Sequence, residues 1–214
     1  MDQPRPVLVA GAPLVWTAGL AAIAAAGEPL LAADSGADHL ARLGLRASAV
    51  VGDLDSLSAA TRSWLGEPAM VPRPDQDRTD LDKALVYTFE ELGLERLTVL
   101  AATGGRPDHE LANLGLLARR GMGDALRFES ERETLIAVCG ELVLEAEPGE
   151  TWSFWTFDPA VRVSTEGVKW RVEDACLHLS ARPSVCNLAV TDFVRVRAEG
   201  GAVIVMRQHL TTNA

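Results

Sequence analysis

The chain has 214 residues, of which 48% are hydrophobic and 23% charged, and its formal net charge is −10. That length allows one large domain or two small ones, each with its own core, and the composition is that of a globular chain rather than a disordered or fibrous one. Lysine occurs only at Lys83 and Lys169, and the acidic excess excludes the basic surface that a nucleic-acid partner requires, while leaving room for a small anionic ligand carried by a divalent cation.

The N-terminal "MDQPRPVLVAGAP" lacks the cationic region followed by an apolar core of a secretory signal, so a cytoplasmic setting is expected. Within it, "VLVAGA" reads as the first strand. Leu14 to Ala33 carries a single charge, Glu28, yet Gly27, Glu28 and Pro29 break it into pieces shorter than the roughly 18 apolar residues of a membrane span. We read a buried helix, a turn and a strand there, and no membrane partner. Further strands follow at "SAVVGD", "AMVPR" and "LTVLAAT", separated by segments with Ala, Leu and Arg at helical spacing. Strand and helix in alternation predict an α/β domain with a mostly parallel sheet flanked by helices. Ligands in such sheets gather at the carboxyl ends of the strands. Four polar or glycine-rich loops stand at those ends: "AADSGADHL", "GDLDS", "PRPDQDRTD" and "TGGRPDHE".

In "GDLDS", Asp53 and Asp55 point to the same side if strand geometry persists through them. Two like charges so placed are costly unless a cation joins them, although a solvated loop or a helix cap explains the pair about equally well. "RPDQDRTDLDKALVYTFEELG" tips the balance. Thr79 and Asp82 have capping-box spacing, and Leu81, Ala84, Leu85, Thr88, Phe89 and Leu92 form one helical face. Asp80 then falls in the first turn, where the helix dipole favours it. Capping leaves Asp75 and Asp77 unexplained, and a cation site fed by both loops accounts for the concentration of acids. Hard oxygen ligands point to magnesium or manganese. "TGGRPDHE" lets backbone amides approach an anion at a helix N-terminus, but it is neither a P-loop nor a dinucleotide fingerprint, and taken alone it reads first as an ordinary strand-to-helix turn. Arg106 is suited either to a phosphate oxygen or to a nearby acid. His109 is given no part in proton transfer. The small residues of "ADSGA" permit close approach of a ligand to the backbone.

After about Gly123 the segments shorten, alternate and become rich in Val, Thr, Phe and Trp. This half is expected to be antiparallel and all-β, with "FVRVRAEGGAVIVMRQ" a hairpin turning at Gly200 and Gly201. The boundary is expected near residues 121–126, dividing 1–123 from 124–214. Trp152 and Trp155 in "TWSFW" are expected in the core or on a dimer surface. Cys139, Cys176 and Cys186 are odd in number and show no Cys-x-x-Cys spacing, so neither a disulfide framework nor a zinc site is predicted.

"ADSGADHL", "GDLDS", "DQDRTDLDKAL" and "GGRPDH", followed by "EGVKW" and "VCN", resemble in order and spacing the thiamine pyrophosphokinase family. The resemblance covers most of the chain. It implies an α/β domain followed by a β-sandwich, a homodimer, and magnesium-dependent transfer of a pyrophosphoryl group from ATP to the hydroxyethyl oxygen of thiamine, leaving AMP. By position it makes Asp53, Asp55 and Asp80 the magnesium-binding acids, with Asp34 near them. It sets Gln76 and Thr79 in the loop facing the nucleotide and matches Arg106 and Asp108 to a Gly-Arg-x-Asp element. Asp34 and Asp108 are candidates for accepting the alcohol proton. Trp170 falls at the aromatic position that suits a cationic, aromatic vitamin. Two positions depart from the pattern: Cys186-Asn187 replaces a Ser-Asn pair, exchanging a hydroxyl for a weakly bonding thiol, and Ser35 replaces a glycine. The thiol motivates an alternative, a pyrophosphokinase for a related hydroxyalkyl heterocycle. A non-catalytic thiamine or nucleotide sensor is a further alternative, against which the number of acids argues.

Overall fold

The computed structural model describes residues 4–210. Its residues fall into two compact units. The first holds the chain up to Asn113 together with Phe128–Glu131, and the second holds Leu114–Arg127 and the chain from Arg132 onward.

In the first unit the expected strands form β1 (Val7–Val9), β2 (Leu30–Ala33), β3 (Ala49–Gly52), β4 (Met70–Pro72) and β5 (Leu97–Leu100). They pair in parallel in the order β4-β3-β2-β1-β5, with Leu8 opposite both Leu31 and Val99. Every residue of β1, β2, β3 and β5 is buried, as both faces of a parallel sheet must be, which is why these runs are continuously apolar. The helices are α1 (Ala18–Ala25), α2 (Gly36–Arg42), α3 (Ala59–Leu65), α4 (Asp80–Val86) and α5 (Pro107–Arg120). Thr17, Ser58 and Thr79 cap α1, α3 and α4 by accepting the amides of Leu20, Thr61 and Asp82.

Two expectations are corrected. Only Leu20 and Ala24 of α1 are buried, so this helix is covered on one face and not all round; its exposed alanines cost little surface while favouring the helix. Leu92 is exposed, although Leu81, Ala84, Leu85 and Thr88 are buried as expected. The reason is a wide turn at Tyr87–Glu91, where the Leu92 amide donates to the Tyr87 carbonyl five residues back and rotates Leu92 off the buried face.

The second unit contains most of β6 (Met122–Glu129), then β7 (Glu133–Glu145), β8 (Thr151–Trp155), β9 (Arg162–Glu166), β10 (Ser184–Leu188) and β11 (Phe193–Gln208). The pairings of β7 to β11 with one another are antiparallel, and β11 overturns the hairpin expectation. It is one continuous 16-residue strand paired with β7 along its length, with a bulge between Ala198 and Ala202 where Gly200 takes a φ of 82°. The glycines bend the strand instead of reversing it. On its other edge, Arg195–Glu199 pairs with β9 and Ile204–Gln208 pairs with β8. The bend therefore lets one strand serve two layers, whose inward residues, among them Val163, Val194 and Val196 against Trp152, Phe154 and Val205, form one core. Trp152 is buried there, its ring 6.5 Å from that of Phe154, and alternation puts Trp155, also buried, on the opposite face. The three cysteines are free.

Gly36 shows how tightly α2 sits on the sheet: a Cβ at this position would lie 2.0 Å from the Val9 carbonyl oxygen, a backbone atom that cannot yield. Gly36→Ala is expected to lower stability by about 2–3 kcal/mol or more, measured as the loss in urea midpoint at unchanged slope.

Candidate functional site

β1 lies inside the sheet, with β2 on one side and β5 on the other, so the direction in which successive strands are added reverses beside it. The crevice at such a switch point is the ligand position of open α/β sheets. Here it holds a cavity of about 730 Å³, lined by Gly11 after β1, Asp34 and Ser35 after β2, Asp80 at the start of α4, and Gly105 and Arg106 before α5.

Asp34, Asp53 and Asp80 each bring one carboxylate oxygen to this end of the sheet, all within 4.8 Å of one another. Asp34 is buried, at 3% exposure, and has a φ of 42°. Its Oδ2 accepts the Ser56 amide at 3.2 Å, while its Oδ1 is buried with no hydrogen-bond partner. Burial first, and then the charge of Asp80, push its pKa up to about 6. Asp53 accepts the Asp55 amide and the Gln76 side-chain amide, both at 3.3 Å, and these bonds hold its pKa below the ordinary value. Gly52 makes the gathering possible, since a Cβ there would sit 3.0 Å from both Asp34 Cβ and Asp80 Oδ1. Three converging carboxylates with an unused buried oxygen fit a hard divalent cation.

The path of the chain through "GDLD" differs from the strand expectation. β3 ends at Gly52, and Leu54, with a φ of 65°, turns the backbone. Asp53 joins the cluster, whereas Asp55 is exposed and accepts the Ser56 hydroxyl at 2.9 Å. Asp75 and Asp77 are exposed, and Asp75 accepts the Asp77 amide at 2.7 Å in a local turn. Thr79 caps α4 and lines the cavity.

Arg106 and Asp108 are exposed and paired by two hydrogen bonds of 3.2 and 2.6 Å. The Arg106 bond draws the Asp108 carboxyl down to about 2. The Gly104 amide donates to Glu110 Oε2 at 3.2 Å, so a carboxylate of the chain itself meets this anion-facing loop. Sequence reasoning missed two residues. His39 is buried and its Nε2 hydrogen-bonds the Ala12 carbonyl at 2.9 Å, fixing the loop after β1. Lys83 is buried, with Nζ 3.1 Å from Asp80 Oδ1 and 3.6 Å from Asp53 Oδ2. Its signal was available: it is one of only two lysines and stands three residues after Asp80 on the buried side of α4.

The second unit carries the remaining predicted residues. Trp170 is 55% exposed and borders a cavity of about 610 Å³ with Arg171, Cys176 and Arg182. Asn187 is buried and holds the Trp170 backbone from both sides, accepting its amide at 3.0 Å and donating to its carbonyl at 2.8 Å. Cys186 is exposed, has a φ of 53°, and donates its amide to Ser153 Oγ at 3.1 Å.

Residues 23–125 match the family profile described as thiamin pyrophosphokinase, catalytic domain, a span that contains the acidic cluster and most of the cavity's wall, though not the loop after β1. Over that span the chain is similar to the thiamin pyrophosphokinase family. It is 24% identical over 183 residues to thiamine pyrophosphokinase 1 of Oryza sativa subsp. japonica, covering 76% of this chain and 66% of that one. It is 26% identical over 165 residues to thiamin pyrophosphokinase 1 of Caenorhabditis elegans, covering 72% and 67%. The chain thus spans about two thirds of the length of these relatives. The crystal structure of thiamine pyrophosphokinase from Bacillus subtilis has the same fold, with a TM-score of 0.79 over 95% of this chain and 98% of that one at 23% identity. Placed on that family frame, the acids that converge in this chain are Asp34, Asp53 and Asp80, with Asp55 beside them in sequence and outside the cluster.

The raised Asp34 carboxyl has a consequence for stability. Its folded pKa, about 6, lies above the ordinary 3.8, so its contribution is fully present below that lower value and is lost as pH rises through the folded one. In chelator, Asp34→Asn is expected to be more stable than the wild type by about 1–2 kcal/mol at pH 8 and to show no such gain at pH 4, measured by thermal unfolding.

Proposed function

We propose that this chain catalyses magnesium-dependent transfer of the pyrophosphoryl group of ATP to the hydroxyethyl oxygen of thiamine, giving thiamine diphosphate and AMP. The observation that carries the reading is the convergence of Asp34, Asp53 and Asp80, the first and last of which line the switch-point cavity, in a chain that matches this family's catalytic-domain profile. The alcohol oxygen bonds to the β-phosphorus, the bridge from that phosphorus to the α-phosphate breaks, AMP leaves with the bonding electrons, and the alcohol proton is released. Little covalent work falls to the protein in such a transfer, so its contribution is positioning and charge.

Asp34, Asp53 and Asp80 would hold the magnesium ion, which supplies neutralisation of the phosphate charge. Gly11 and Gly105 keep the cavity wall low where phosphates approach, and Arg106, exposed beside it, presents a fork suited to phosphate oxygens. Gln76, hydrogen-bonded to Asp53, and Thr79 support the acids from the neighbouring loop. Of the two acids considered for the alcohol proton, Asp108 is a weak base at about 2, held there by its bond from Arg106. Trp170, held by Asn187, would stack on the cationic rings of thiamine. In this reading residues 1–123 carry the nucleotide and cation and residues 124–214 the vitamin, in a cytoplasmic homodimer. No helix among the described residues is long and apolar enough to cross a membrane.

The test supplies ATP, magnesium and thiamine and follows AMP and thiamine diphosphate together. Equal amounts of both, lost on chelation, are expected. ADP in place of AMP would indicate an ordinary kinase, turnover only with another hydroxyalkyl heterocycle would move the substrate, and no product with any alcohol would favour a sensor. Asp53→Asn is expected to lower kcat ~100-fold or more with the fold intact by circular dichroism. Trp170→Ala is expected to raise KM for thiamine about tenfold while KM for ATP changes less than twofold.

A further inference from the structure

Lys83 is an unusual occupant of its position. Its side chain is only 3% exposed, on the face of α4 that Leu81, Ala84 and Leu85 pack. Packing alone would be better served by an apolar residue, because burying an ammonium is costly unless it is paired. Its partners are two of the three clustered acids, Asp80 at 3.1 Å and Asp53 at 3.6 Å. The third, Asp34, keeps its Oδ1 buried and without a hydrogen bond.

Resting on the cation reading above, we infer that Lys83 is a positioning residue that holds Asp53 and Asp80 at cation-binding distance before the ion arrives and limits the cluster to one divalent cation. Three ionised carboxylates and one ammonium sum to a charge of −2, which one divalent ion cancels and a second would reverse. Asp55 is exposed and Asp75 stands on an exposed turn, so water screens both and they add little to that sum. The compact ammonium matters. Its three donors serve two converging carboxylates from one point, whereas the wider planar fork of arginine, the cation this chain uses almost everywhere else, would spread them.

The test uses the full chain without nucleotide. Manganese binding is titrated, and thermal unfolding of the wild type and Lys83→Met is compared in chelator and in saturating manganese. One manganese per chain is expected. Lys83→Met is expected to melt about 10 °C below the wild type in chelator, and the gap should shrink by at least half in manganese, because the ion then neutralises the acids that Lys83 no longer serves. If Lys83→Met does not fold in chelator, Lys83→Met with Asp80→Asn provides the reading: removal of one acid should restore folding. An equal melting gap with and without manganese, a second manganese of comparable affinity in the wild type, or a double variant no more stable than the single one would overturn the inference while leaving the cation reading in place. No manganese binding by the wild type would remove both.

Discussion

Three carboxylates whose oxygens lie within 4.8 Å of one another repel, and the local structure of the first unit is arranged around that repulsion. Asp34, whose pKa is raised to about 6 first by burial and then by the charge of Asp80, holds its proton more tightly. Asp53 is steadied by the Asp55 and Gln76 amides, and Asp80 by the dipole of α4 and by Lys83. Gly52 supplies the space, since any side chain there would wedge between Asp34 and Asp80. Two of the positive-φ residues are in the same place: Asp34 and Leu54 stand beside the cluster, where a conformation of that kind aims a side chain that a regular strand would send elsewhere.

The parallel sheet explains why these acids come from distant parts of the sequence. Parallel strands all present their carboxyl ends on one edge, so the loops after β1, β2, β3 and β5 meet there however far apart they are in the chain. α4 joins them by its own first turn, with Thr79 fixing where the helix starts and hence where Asp80 points. His39 contributes at a distance by holding the Ala12 carbonyl. The cavity is thus bounded largely by backbone and small side chains, with Asp34 and Asp80 contributed by one pair of elements and Arg106 and Glu110 by the segment after β5.

The second unit solves a different problem, closing a β-rich core with one long strand. β11 passes between two layers because Gly200 and Gly201 allow a bend where a hairpin would otherwise be read. Asn187 then bonds the Trp170 backbone with both ends of its side-chain amide, so the exposed indole stands on a fixed support. That role makes the residue after Cys186 structural, whereas the cysteine itself faces solvent.

Much of this was legible from residue patterns. The five apolar runs, the Thr79 cap, the position of Asp80 and the antiparallel character of the second half arise from burial and capping, which act over a few residues and leave local signatures. The family resemblance was legible for the same reason, because "GDLDS" and "DQDRTDLDKAL" are short and contiguous. The features that stayed hidden depend on contacts between distant segments. Alternation implied that Asp53 and Asp55 act together, but a turn at Leu54 gives Asp53 to Asp34 and Asp80 and leaves Asp55 in solvent. The glycine pair looked like a reversal, and only the partners on either side of β11 make it a bulge. Lys83 carried its signal in rarity and spacing, but its meaning came from Asp53, thirty positions earlier in the chain. The sequence by itself determined which segments become strands and helices and which loops carry the acids. Tertiary structure alone decided which acids share one point and which cation balances them, because electrostatic energy depends on distance in space, and the fold, not the spacing along the chain, sets that distance.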